Sequence, residues 1–61
     1  MQVGDLIMDD KYQDIGLIIA ERGDWLTVYY ITGSAGGDTC VESYRGLQRF
    51  FTVLSEGKEG E

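Results

Sequence analysis

The chain has 61 residues and a net charge of −6, from 11 acidic and five basic side chains, with one cysteine and neither histidine nor proline. A chain this short supports a single core and keeps it only marginally stable by itself. Cys40 alone cannot form an internal disulfide, and without histidine the usual cysteine–histidine zinc site is out of reach. We therefore expect neither cofactor nor metal, and a stability that rests on packing, self-association or a larger assembly.

The charge also bears on partners. Nucleic-acid binding normally needs a basic face that displaces counterions from phosphates. The cations Lys11, Arg22, Arg45, Arg49 and Lys58 are scattered, and only Arg45 and Arg49 lie close together. No nucleic acid is expected; an acidic surface suits a basic protein partner, or simple solubility. No apolar stretch approaches the ~18 residues that span a bilayer, and Met1–Asp5 lacks a basic segment leading into an apolar one. No membrane role is expected, and the lone thiol suits a reducing compartment.

Five short apolar runs follow one another: Val3–Met8, Ile15–Glu21, Trp25–Thr32, Thr39–Tyr44 and Phe50–Ser55. None has a helical period, and each is bounded by acidic or glycine-rich turns. Val3–Met8 opens around a Gly4-Asp5 turn, and Asp9–Asp14 is a polar loop. Ile15–Ala20 is nearly continuous apolar chain, too short for a helix and rich in β-branched residues. Gly16 inside that strand permits close approach of a neighbouring backbone or a sharp bend. Arg22-Gly23-Asp24 reads as a hairpin turn with Gly23 at positive φ.

Trp25–Thr32 is the strongest strand by composition. Its alternation puts Leu26, Val28 and Tyr30 on one face and Trp25, Thr27, Tyr29 and Ile31 on the other. The first set is smaller and more uniformly apolar, which predicts that it faces the core. Gly33–Asp38 is a flexible hairpin loop. Thr39–Tyr44 carries Cys40, Glu42 and Tyr44 on one face. Arg45–Arg49 suits a single 3₁₀ turn with Leu47 plugging the end of the barrel, and Phe50–Ser55 returns as the last strand. The tail, residues 56–61, has no apolar side chain and is expected to be disordered.

Five strands, a polar first loop, tight middle hairpins and one short turn before the last strand predict an all-β fold, a small SH3-like barrel over residues 1–55. Val3-Gly4-Asp5-Leu6-Ile7, Asp14-Ile15-Gly16-Leu17-Ile18-Ile19, Val28-Tyr29-Tyr30, the turn around Leu47 and Thr52-Val53-Leu54-Ser55 carry a more specific likeness. Together they resemble the small SH3-like proteins of tailed bacteriophages, those of marine and cyanobacterial hosts most in style. The likeness spans residues 3 to 55 and consists of framework residues. It implies the fold and a host-cytoplasmic or virion location, and supplies no catalytic residue. The third-strand position where such proteins would carry tryptophan is Tyr30 here.

Several constellations bear on chemistry. Asp9, Asp10 and Asp14 share a loop and are hard oxygen ligands, but their spacing is not that of an EF-hand and acidic turns are common on acidic proteins. Arg22-Gly23-Asp24 spells an adhesive tripeptide, yet reads as a polar-flanked turn. Cys40 has no histidine to act as its base and no run of cations to lower its pKa, so it reads as a small strand residue. Paired carboxylates need a cleft that this chain has little room to build. No enzymatic activity is expected.

The aromatics are the candidate protein-binding residues: Tyr12, Trp25, Tyr29, Ile31 beside them, and Tyr44. In peptide-binding SH3 domains, aromatics of the first loop and of the turn before the last strand form a groove for proline-rich ligands. Tyr12 and Tyr44 fall at comparable places. Alternatively, Trp25, Tyr29 and Ile31 form an outward apolar stripe of the kind that meets a partner. The expected function is a non-enzymatic interaction module, phage-encoded, docking on a viral or host protein. Two other readings stay open: a virion or self-assembling component whose stripe is covered by its own copy, and an acidic mimic that inhibits a nucleic-acid-binding protein.

Overall fold

The structure is a computed structural model that describes residues 1–33 and 36–57. Residues 34 and 35 of the expected Gly33–Asp38 loop and residues 58–61 of the expected tail lie outside the described residues. The elements are β1 (Leu6–Asp9), β2 (Ile15–Arg22), β3 (Trp25–Tyr30), β4 (Thr39–Ser43), α1 (Tyr44–Phe50) and β5 (Phe51–Ser55). The strands form one antiparallel sheet in the order β4-β3-β2-β1-β5. β4 and β5 are its two edges and do not pair with each other, so the sheet is open.

Alternation along β3 decides which face is packed. Leu26, Val28 and Tyr30 point inward as expected, and join Ile7, Ile18 and Leu47 in a single core. Met1, Val3, Tyr44 and Phe51 pack around its margin. Gly16 lies opposite both Ile7 on β1 and Tyr30 on β3. A Cβ there would come within 2.5 Å of Val28 Cγ1, so the glycine is required by close approach and not by backbone conformation. The β2–β3 register shifts between Ile18 and Ala20, inserting Ile19 as an extra residue that bends the strand.

The β2–β3 hairpin closes through Gly23 and Asp24 between the paired Arg22 and Trp25. Gly23 has φ +60°, and positive φ at the first central residue alone is the pattern of a type II′ turn, whose twist matches the flanking strands. The Arg22-Gly23-Asp24 tripeptide thus builds a turn, and the Asp24 carbonyl accepts the Tyr44 N–H at 2.7 Å.

The segment before the last strand corrects the expectation of a 3₁₀ turn: it is the seven-residue α-helix α1. Ser43 caps it by accepting the Gly46 N–H on its Oγ at 3.1 Å, and the Phe51 N–H bonds to the Leu47 carbonyl at its far end. Those two bonds draw Tyr44 out of the fourth strand and Phe50 out of the fifth, which is why both strands are shorter than expected. Leu47 is fully buried, and Arg49 in the last turn suits the helix dipole.

The first strand also starts later than expected, at Leu6, because Val3 and Gly4 turn. Gly4 has φ +96° and its N–H reaches the Ile18 carbonyl at 2.8 Å. Asp5, only 3% exposed, then ties the two ends of the chain. Its Oδ2 accepts the Gln2 N–H at 3.0 Å and its Oδ1 the Gly57 N–H at 2.7 Å. The Gln2 side-chain amide donates to the Gly57 carbonyl. A Cβ on Gly57 would meet Gly4 backbone atoms at 2.5 Å, so two glycines face each other at this closure. Residue 57 of the expected tail is therefore half-buried and hydrogen-bonded.

Candidate functional site on the outer face of the sheet

The packed face of the sheet has α1 and the N-terminal residues against it; the opposite face carries the candidate residues. Directly opposed residues in an antiparallel pair point the same way, so register alone assembles this surface. Tyr29 faces Thr39 on β4 and Leu17 on β2, and Leu17 faces Leu6 on β1. Thr27 faces Val41, and Trp25 lies between Ser43 and Arg22. Ile31, just past β3, donates its N–H to the Ile15 carbonyl at 2.7 Å.

Trp25, Tyr29 and Ile31 remain 56%, 40% and 50% exposed. Val41, at 61%, extends the same surface onto β4. It was not among the residues singled out by sequence, because its place beside Thr27 depends on cross-strand register. Ile19 is exposed at the β2 bulge for the same kind of reason.

Tyr44 is brought to Trp25 and not to Tyr12. A shallow depression of about 420 Å³ is lined by Asp24, Trp25, Ser43, Tyr44 and Arg45. Tyr44 is half-buried at the start of α1, and its hydroxyl accepts from the Met1 ammonium at 3.5 Å. Tyr12 is exposed in the β1–β2 loop, with the Lys11 ammonium 5.1 Å from its ring centre. That loop is joined to the other end of α1, where the Asp10 N–H donates to the Phe50 carbonyl at 2.9 Å. Phe50, whose carbonyl accepts that bond, is 61% exposed with the Arg49 guanidinium 5.8 Å from its ring centre.

The acidic loop residues have structural partners. Asp9 Oδ1 accepts the N–H groups of Lys11 and Tyr12 at 2.7 and 2.9 Å, an Asx turn. Asp10 Oδ1 accepts the Thr52 hydroxyl at 2.6 Å. The Asp14 carboxyl lies against Gly33, where a Cβ would overlap it. No group of three or more side chains able to hold a metal ion occurs among the described residues. Cys40 is an exposed thiol on β4, across from Val28.

Tyr30 is the titratable group whose environment is most altered. Burial raises its phenol above the ordinary value of 10.0, and electrostatic repulsion from Cys40, Glu42, Asp9 and Asp14 raises it further. It stays neutral through the physiological range and serves as a core residue. No helix of the described residues is long and apolar enough to cross a membrane. Comparison of the chain with protein-family models, with curated proteins and with solved structures finds no match.

Proposed function

We propose that this chain is a non-enzymatic SH3-like interaction module that docks on another protein through the outer face of its sheet. The observation that carries the reading is the cluster of Trp25, Tyr29, Ile31 and Val41, each at least 40% exposed on one face. Large aromatics dominate interface energies when a partner covers them, and a small domain rarely exposes several side by side without use. The sheet order, with a short helix between β4 and β5, supports the SH3-like reading of the fold. The resemblance of residues 3 to 55 to small phage barrels supports a viral or host protein as the partner. The lack of histidine and the engagement of Asp5, Asp9 and Asp10 in backbone and hydroxyl hydrogen bonds favour binding over catalysis.

The test is affinity capture from host or infected-cell lysate with the wild-type chain, Trp25→Ala and Tyr29→Ala, each checked by thermal melt. Truncating a central aromatic costs about 2 kcal/mol of binding, a loss of roughly thirtyfold in recovery. Unchanged recovery with both folded variants would overturn the outer face as the working surface. Duplex DNA should show no binding near physiological salt, and salt-sensitive micromolar binding would restore the nucleic-acid role that the charge argues against.

A further inference from the structure

The free edge of β4 presents backbone groups in a defined pattern. The Tyr30 N–H donates to the Asp38 carbonyl at 2.9 Å, and the Tyr44 N–H to the Asp24 carbonyl at 2.7 Å. With Trp25↔Ser43 through Tyr29↔Thr39 in register, antiparallel alternation makes Val28–Cys40 and Leu26–Glu42 the hydrogen-bonded pairs. The N–H and C=O groups of Thr39 and Val41, and the N–H of Ser43, therefore point away from β3. Among the described residues no strand lies on that side. Thr39, Cys40 and Val41 are exposed, and β4 contains no proline, no lysine and no bulge against β3; Glu42, opposite Leu26, is its one charged guard.

We propose that a second copy of this chain adds its β4 antiparallel to this edge, about a two-fold axis through Val41, making one sheet continuous across both copies. The inference goes beyond the docking reading above: it concerns the backbone edge that borders the outer face, and its partner is a copy of the chain itself. Val41 is the middle residue of the five in β4, so this axis aligns Thr39 with Ser43 of the partner subunit. Each Val41 N–H then meets the carbonyl of the partner's Val41.

Charge selects this register over its neighbours. An axis through Glu42 would set two Glu42 carboxylates against each other, and one through Cys40 would set Asp38 against the partner's Glu42. Like charges directly opposite destabilise a strand pair. The axis through Val41 instead places Asp38 opposite Tyr44 of the partner subunit and beside the partner's Arg45. Both Asp38 and Arg45 are exposed and free to approach, so the pair contributes two opposite-charge contacts. The interface is a single short strand with its flanking side chains, so the dimer is weak and concentration-dependent.

Disulfide trapping tests the register directly. Residues facing each other in a hydrogen-bonded antiparallel pair have Cα atoms about 5.5 Å apart, within reach of a disulfide. Val41→Cys in a Cys40→Ser background should cross-link to a covalent dimer under mild oxidation. Cys40 of the wild-type chain faces Glu42 of the partner subunit and should link at least tenfold more slowly. Light scattering at rising concentration should approach twice the 6.8 kDa chain mass. Arg45→Glu alone should weaken association about tenfold, and Asp38→Arg combined with it should restore it.

Faster linking through Cys40 than through Val41→Cys, or a mass that climbs beyond two copies, would overturn the two-fold pairing. So would a chain that stays at single mass and links through neither position. If pairing fails while Tyr29→Ala still abolishes capture of another protein, the self-pairing falls and the docking reading stands. If capture is insensitive to Tyr29→Ala while Val41→Cys links, the reverse holds.

Discussion

The two faces of β3 both carry large apolar side chains and meet opposite fates. Leu26, Val28 and Tyr30 are at most 8% exposed, while Trp25, Tyr29 and Ile31 keep between 40% and 56% of their surface in water. The difference comes from what lies over each face. α1 contributes Leu47, and the N-terminal residues contribute Met1 and Val3, all to the same side. The described residues put no comparable cover over Trp25, Tyr29 and Ile31. The more uniformly apolar face is the buried one, and the covering elements lie over it while the other stays open.

The largest expected effect breaks the inner face. Gly16→Val should destabilise the domain by about 3 kcal/mol, because the new side chain enters space already filled by Val28 Cγ1 and the Tyr30 ring. A thermal melt unchanged from wild type would mean that β2 does not pass β3 as closely as described. Next comes the direct contrast of neighbours on β3. Val28→Ala removes two buried methyl groups and should cost about 2 kcal/mol once the cavity is included. Tyr29→Ala, on the open face, should cost the fold less than 1 kcal/mol while weakening association. Urea titrations of both variants check this, and the opposite ranking would reverse the assignment of faces.

The smallest effect concerns pH. The Tyr30 phenol holds its proton to higher pH in the folded chain than in the unfolded one. The stability linked to it is complete below the ordinary value of 10.0 and is lost as pH rises past that value toward the raised one. Tyr30→Phe should therefore show a shallower decline of stability above pH 10 than the wild type, read by urea unfolding at a series of pH values. Parallel declines would mean that the native environment of Tyr30 does not favour its neutral form.

Particular residues show which features were readable along the chain. Gly23 marks a tight hairpin by its own conformational freedom, and the alternation of β3 separates Leu26, Val28 and Tyr30 from their neighbours without any knowledge of partners. Leu47, expected to plug the end of the fold from a short turn, is fully buried. Tyr44 and Phe50 were harder. Each stands at one end of an apolar run that continues as a strand, and the Ser43 cap and the burial of Leu47 draw them into α1 instead. Val41 looked unremarkable until register set it beside Thr27 on the open face.

Local sequence by itself determined the strand-rich class, the hairpin at Gly23, the inward set of β3 and the requirement for a small residue at position 16. These follow from side-chain period and backbone freedom, which act over a few residues. Tertiary structure alone decided that the sheet stays open between β4 and β5, that Tyr44 lines one depression with Trp25 while the Tyr12 loop bonds to the Phe50 carbonyl through Asp10, and that Asp5 holds Gly57 from 52 residues away. Such features depend on register and on contacts between distant segments. Their geometry appears only when every strand has found its neighbour, because no short stretch of the chain contains both partners.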